Sequence, residues 1–158
     1  MTKIPVTVAG AAALRAELHR LKTVERPEVI AALAEARSHG DLSENAEYDA
    51  AKDRQGFIEG RILEVENKLA AALVIDPSLL DADGRCVFGA TVTLEDMGTG
   101  QCTTYQIVGD DEADIKIGKI SISSPVARAL IGKYAGDIAE VQAPNGVREY
   151  EIVRVEYV

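Results

Sequence analysis

Between residues 58 and 72 the apolar side chains Ile58, Ile62, Val65, Leu69 and Ala72 recur at alternating steps of four and three. That spacing keeps a single stripe turned toward a partner in a two-stranded coiled coil. A helix with this stripe needs a second helix to cover it. Traced backward, the stripe passes Gln55, Ala51, Tyr48 and Glu44, so it becomes small and polar toward its start. Upstream, Leu14, Leu18 and Leu21 form one stripe and Ile30, Leu33 and Arg37 a second, with Pro27 between them. A proline there opens a new helical segment or kinks the helix. Ser38-His39-Gly40 ends the first arm, Gly40 being suited to the left-handed conformation that closes a helix. So short a connection makes the arms antiparallel, and arms of about 30 residues at 1.5 Å per residue project roughly 45 Å.

The chemistry of the chain changes near residue 77. Residues 9–75 are rich in Ala, Leu, Glu, Arg and Lys, which favour helix. Asp76-Pro77-Ser78 stops it, because the residue before a proline is pushed out of the α region. Beyond it, runs such as Ala90-Thr91-Val92-Thr93-Leu94 and Tyr150-Glu151-Ile152-Val153-Arg154-Val155 alternate β-branched or aromatic residues with polar ones. Strands are expected at 86–95, 102–108, 119–123, 138–143 and 147–158. Asn145-Gly146 supplies a tight turn between the last two, and Ser124-Pro125 opens a short helix over 126–131. The fold class is α+β: an antiparallel helical hairpin over 1–77, then a sheet with one helix over 78–158. Asp110, Asp111, Glu112 and Asp114 read as a solvated loop, with a cation site as the weaker alternative.

Seventeen Lys and Arg against 26 Asp and Glu give a formal charge of −9 over 158 residues. A chain with that balance repels nucleic acid as a whole, so any contact with RNA is local or bridged by a metal. No apolar run approaches the roughly 20 residues needed to cross a bilayer, and the N-terminus lacks the pattern of a secretory signal. A cytoplasmic protein without membrane contact is expected. Cys86 and Cys102, 16 positions apart, have no metal-ligand spacing and read as two reduced thiols in strands.

The connection between the arms continues as Gly40-Asp41-Leu42-Ser43-Glu44-Asn45-Ala46-Glu47-Tyr48-Asp49, with four carboxylates in the nine residues from 41 to 49. Two readings of Asp41 and Glu44 stand side by side. Three residues apart, they form a capping box at the start of the second helix. On an exposed turn, the same pair presents two oxygens to one magnesium ion, which takes one or two protein carboxylates and fills its remaining positions with water and phosphate. Such a half-site holds the ion weakly in the isolated protein. His39 reads as a helix-end histidine answering the dipole, and Tyr48 as a ring packed between the arms.

Three blocks carry a family resemblance: Arg26-Pro27-Glu28-Val29-Ile30-Ala31-Ala32-Leu33-Ala34-Glu35-Ala36-Arg37, Gly40 to Tyr48, and Glu59-Gly60-Arg61-Ile62. Together with Ser124-Pro125-Val126-Ala127-Arg128-Ala129-Leu130-Ile131-Gly132-Lys133, they resemble the GreA/GreB transcript cleavage factors of bacterial RNA polymerase. The resemblance runs over residues 4–158. It implies a finger that enters the polymerase secondary channel and an FKBP-like C-terminal domain that docks on the channel rim. It implies that Asp41 and Glu44 share a magnesium ion with the polymerase active site, where water cleaves the 3′ part of a backtracked RNA. It further implies that Arg37 and Lys52 touch that RNA, that Asn45 and Tyr48 support the tip, and that Ser123, Ser124 and Pro125 lie in the rim-binding loop.

On this reading the protein is a monomeric cofactor that activates the polymerase's own cleavage, not an enzyme, and DNA binding is a family attribute. A single modest basic cluster places it nearer the GreA type than the more basic GreB type. The competing readings are a channel-binding homologue that inhibits without cleavage, a prolyl isomerase, for which the C-terminal part lacks a rich aromatic lining, and a plain coiled-coil adaptor.

Overall fold

The computed structural model describes residues 3–40, 45–80 and 83–158. The chain divides into two compact units: one of residues 11–72, with Met1, and one that joins Thr2–Gly10 to Leu73–Val158. This division differs from a single cut at residue 77: the N-terminal strand β1 (Ile4–Thr7) pairs with β2 (Ala72–Ile75) in a two-stranded sheet, and Thr7 is bonded to Glu112.

The helical unit is a hairpin. Helix α1 (Val8–Arg20) runs through a π-helical turn, Leu21–Glu25, into α2 (Arg26–Arg37), and α3 (Ala46–Ala71) packs back along α2. Along α3 the expected stripe is buried at Ala51, Ile58, Ile62 and Val65. On the first arm it matches the expected one only at Leu33: Val29, Leu33 and Ala36 are buried, whereas Ile30 is 52% exposed and Arg37 faces solvent. The π turn supplies the reason. Continued at steps of four and three from Leu14, Leu18 and Leu21, the seam would next meet positions 25, 28, 32 and 35, and so would bury Glu28 and Glu35. One extra residue in the turn advances the seam to Val29, Leu33 and Ala36 and leaves both glutamates exposed. Thr23 stabilises the turn by donating its hydroxyl to the His19 carbonyl at 2.7 Å. Pro27 sits in the first turn of α2, where its missing N–H costs little.

Leu21, Val29, Ile58 and Ile62 form the buried cluster of the hairpin, with Leu18 against it. Ion pairs flank this narrow seam. Arg61 grips Glu17 through two hydrogen bonds of 2.6 and 2.7 Å, Arg26 grips Glu59 at 2.8 and 2.7 Å, and Lys22–Glu66 and Arg54–Glu28 lie at 3.2 and 3.3 Å. Hydrogen bonds from the arginines hold the Glu17 and Glu59 carboxyls below their usual value of 4.5 and raise the affinity of both guanidiniums for their protons.

The second unit contains a five-stranded sheet in the order β5-β4-β3-β7-β6. Its strands are β3 (Thr91–Asp96), β4 (Cys102–Val108), β5 (Lys119–Ser121), β6 (Ile138–Ala143) and β7 (Gly146–Glu156). All neighbours are antiparallel except β4 and β5, and a bulge interrupts the β3–β7 register between Thr93 and Leu94. Helix α4 (Pro125–Leu130) packs against β6 and β5. Val92, Leu94, Ile107, Ile120, Ala127, Leu130, Ala139 and Ile152 close the core, burial alternating along β3 as a one-faced strand requires.

Three expectations change here. The first long strand begins at Thr91, not Cys86, because the 86–90 backbone is bonded elsewhere: Cys86 N–H donates to the Lys133 carbonyl and Gly132 N–H to the Cys86 carbonyl, each at 2.7 Å. The Tyr157 hydroxyl bridges the same segment, accepting from Val87 N–H at 3.0 Å and donating to the Arg85 carbonyl. Cys86 is therefore a buried core residue outside the strands, and burial raises its thiol to about 11, whereas Cys102 is exposed on β4. The β6–β7 turn is centred on Pro144-Asn145, since Ala143 already pairs with Gly146, whose φ of 120° suits glycine at the exit. The acidic stretch is not merely solvated: Asp110–Glu112 is a 3-10 turn whose side chains are engaged, and Asp114 caps the next turn by accepting Lys116 N–H at 3.1 Å.

Among the described residues no helix is long and apolar enough to cross a membrane.

Candidate functional site

At the open end of the hairpin α2 finishes at Arg37, and Ser38, His39 and Gly40 send their N–H groups back to carbonyls of its last turn. Gly40, with φ at 95°, takes the left-handed conformation that its place in the sequence predicts. The other arm restarts at Asn45. Its side-chain oxygen accepts Tyr48 N–H at 3.1 Å, capping α3, while its amide nitrogen donates to the Ala36 carbonyl across the hairpin at 2.7 Å. One side chain thus satisfies an orphan donor of α3 and adds a second hydrogen bond to the Ala36 carbonyl, which already accepts the His39 N–H at 3.2 Å. It ties the end of α2 to the start of α3.

Around this clamp, the Arg37 guanidinium carbon lies 5.9 Å from the centroid of the half-buried Tyr48 ring, within range of a cation–π contact that also spans the arms. His39 Nδ1 is 3.3 Å from a Glu47 carboxylate oxygen, so this histidine meets the other arm as well as the end of its own helix. Lys52 is exposed on α3. Among the described residues neither Arg37 nor Lys52 is held by a carboxylate. Asp41 and Glu44, the expected metal ligands, lie outside the described residues. The N-cap of α3 is nonetheless Asn45, so the position that a capping box assigns to Asp41 is filled four residues later. Among the described residues no three His, Cys, Asp or Glu side chains gather in a way that could hold a metal ion.

The second group of expected residues lies at the start of α4. Ser124 caps the helix by accepting Ala127 N–H at 3.2 Å, and Pro125 occupies its first turn, exposed. Ser123, also exposed, donates its hydroxyl to Asp110 at 2.7 Å. Ser121 donates to the same carboxylate and lies 2.7 Å from the Ser123 oxygen. The loop is therefore braced from beneath by an acidic turn.

Comparison with known proteins decides the family. Residues 4–74 match the family described as "Transcription elongation factor, N-terminal", and residues 81–157 match "Transcription elongation factor, GreA/GreB, C-term". The chain belongs to the GreA/GreB family of transcription elongation factors. It is 70% identical to the transcription elongation factor GreA of Ralstonia nicotianae, covering 99% of both chains, and 67% identical to that of Neisseria meningitidis serogroup A, covering all of both. Among solved structures it is similar to the GreA factor homolog 1 (Gfh1) of Thermus thermophilus, at 30% identity over 98% of this chain and 99% of that one, with a TM-score of 0.43.

The structure brings together Arg37, Asn45 and Tyr48 at one end of this GreA/GreB-family hairpin and Ser123, Ser124 and Pro125 around one helix start. The spacing of the residues could not reveal that Asn45 reaches the Ala36 carbonyl, nor that Asp110 braces the serines. Both bonds join segments that are neighbours only after folding.

Proposed function

We propose that this factor inserts its helical hairpin into the secondary channel of bacterial RNA polymerase and stimulates endonucleolytic cleavage of backtracked RNA. In this reading Asp41 and Glu44 contribute two oxygens to a magnesium ion otherwise held by the polymerase. Hard carboxylate oxygens suit that ion, and two of them make half a site, so the isolated protein binds it weakly. When bound, the ion supplies activation of the attacking water and stabilisation of the developing charge. The chain's own residues do the placing. Asn45 holds the two arm ends together, Tyr48 backs the Arg37 guanidinium, and Arg37 and Lys52 offer positive charge to the phosphates of the extruded 3′ segment. The exposed loop Ser123-Ser124-Pro125 docks on the channel rim.

The observation that supports this reading most is at Asn45. The structural task that competes for Asp41, starting the second helix, is already performed by another side chain. With α3 capped by Asn45, and with Arg37 and Lys52 held by no carboxylate among the described residues, this end of the hairpin suits a surface that completes somebody else's metal site.

The test is RNA shortening in stalled, backtracked polymerase complexes. Asp41→Ala and Glu44→Ala are each expected to lower the cleavage rate by roughly two or more orders of magnitude while polymerase binding persists. Substitution of Ser123 or Pro125 is expected to raise the concentration needed for half-maximal cleavage and to leave the saturated rate unchanged. A wild-type protein that binds the complex yet never shortens its RNA would instead establish the inhibitory channel-binding reading.

A further inference from the structure

The 3-10 turn Asp110–Glu112 bears carboxylates at both ends, and each is committed to a different segment. Glu112 accepts the Thr7 N–H at 3.0 Å, the Thr7 hydroxyl, and the Gly109 N–H at 3.1 Å. Thr7, only 4% exposed, precedes α1 and in turn accepts the Gly10 N–H on its own hydroxyl oxygen at 3.0 Å. In a capping box the residue before the helix takes the third N–H of the first turn, and a Glu at that third position returns the favour to the cap N–H. Here the third position is Gly10, which has no side chain. The missing carboxylate comes from Glu112, 105 residues further along the chain from Thr7. Gly10 is what makes room for it: a Cβ there would fall 2.1 Å from the Glu112 carboxyl carbon and 2.4 Å from its oxygen. At the other end of the turn, Asp110 accepts the hydroxyls of Ser121 and Ser123. All of these residues belong to the same compact unit.

We propose that the Asp110–Glu112 turn is a two-ended bracket: Glu112 completes the capping box of α1 from a distance, and Asp110 holds the serines of the loop before α4. One rigid turn then fixes both the first turn of the hairpin's leading helix and the loop assigned above to the polymerase rim. Whatever seats that loop also steadies the helix start. The naming of the loop's partner rests on the proposed function, whereas the bracket itself does not.

A sign reversal tests it. In an ordinary helix, Gly→Ala stabilises, because alanine loses less backbone freedom on folding. Gly10→Ala is expected instead to lower the thermal midpoint of this protein, since the new methyl evicts Glu112. In a Glu112→Ala background the same change is expected to raise the midpoint. The double variant Gly10→Glu/Glu112→Ala, which restores a local capping box, should recover most of what Glu112→Ala loses. Amide hydrogen exchange gives the second readout. The Thr7 amide should exchange roughly tenfold faster in Glu112→Ala, the size expected for losing a bond to a charged acceptor, and measurably faster in Asp110→Ala, while Gly10, whose N–H bonds the Thr7 hydroxyl, should respond less. A stabilising Gly10→Ala in the parent protein overturns the capping end of the bracket, and unchanged Thr7 exchange in Asp110→Ala overturns its coupling. Normal polymerase affinity of a Ser123→Ala variant would sink the rim assignment alone and leave the reversal in place.

Discussion

The hairpin and the sheet unit solve the burial problem in opposite ways. Under α4 the sheet encloses a core in which Val92, Leu94, Ile107, Leu130 and Ile152 are at most 1% exposed. The hairpin has one stripe per helix, and among the described residues its last large buried side chains toward the tip are Leu33 and Ile58, followed only by the small Ala36 and Ala51. There the structure depends on caps, cross-arm ion pairs and the Asn45 clamp. The unit with the deep core carries the braced loop, and the thinly packed one carries the carboxylates. A narrow probe cannot also be a thick core, because two helices alone offer each residue only one partner surface.

This contrast can be broken most decisively by truncation. Ile152→Ala is expected to destabilise the sheet unit by roughly 2–5 kcal/mol, as a cavity forms where nothing can collapse. Leu33→Ala should cost the hairpin about 2 kcal/mol, at the low end of the same range, because its surroundings relax toward solvent. Urea melts followed by circular dichroism measure both, and equal losses would erase the distinction. Next in size is Asn45→Ala, expected to cost about 1–2 kcal/mol through the lost cap and the lost cross-arm bond to Ala36, whose carbonyl keeps the His39 N–H. Asn45→Asp keeps the bond to Tyr48 N–H and loses the one to Ala36, so its cost should fall between. Exchange of the Tyr48 amide separates the two contributions.

The smallest effect sharpens the comparison through pH. Hydrogen bonds to arginine lower the Glu17 and Glu59 carboxyls, so their stabilisation is complete above the usual value of 4.5 and is lost as pH falls through the lowered values. Glu59 is exposed and Glu17 only half-buried, so solvent screens both pairs and the loss is modest. It should appear in the helical signal before the sheet core responds. At the other extreme, the buried Cys86 thiol, raised from 9.0 to about 11, favours unfolding only as pH climbs between those values. Below that window Cys102 should be alkylated by iodoacetamide while Cys86 is spared.

Much of this was legible before folding. The four-three stripe of α3, the glycine that ends α2, the Ser-Pro start of α4 and the alternation of β3 are local patterns, and they predict their elements within a few residues. The first arm misled for a physical reason: Ile30 is more apolar than Val29, yet a π turn set the phase, and apolarity alone does not report an extra residue in a helix. Cys86 misled because apolar character marks burial and not strand pairing. The tip motif pointed to the GreA/GreB family and, through it, to Asn45 as a support of the tip, whereas the cross-arm bond to the Ala36 carbonyl by which Asn45 does so had no signal in the sequence.

Periodicity and turn chemistry act between near neighbours, so the order of residues alone determined that two helices pair, that a sheet follows, and where acidic chemistry is displayed. Which carboxylate caps which helix was decided only in three dimensions. Glu112 serves Thr7 across 105 positions, in a space that Gly10 leaves vacant. No local rule connects groups that meet only when the chain has closed on itself.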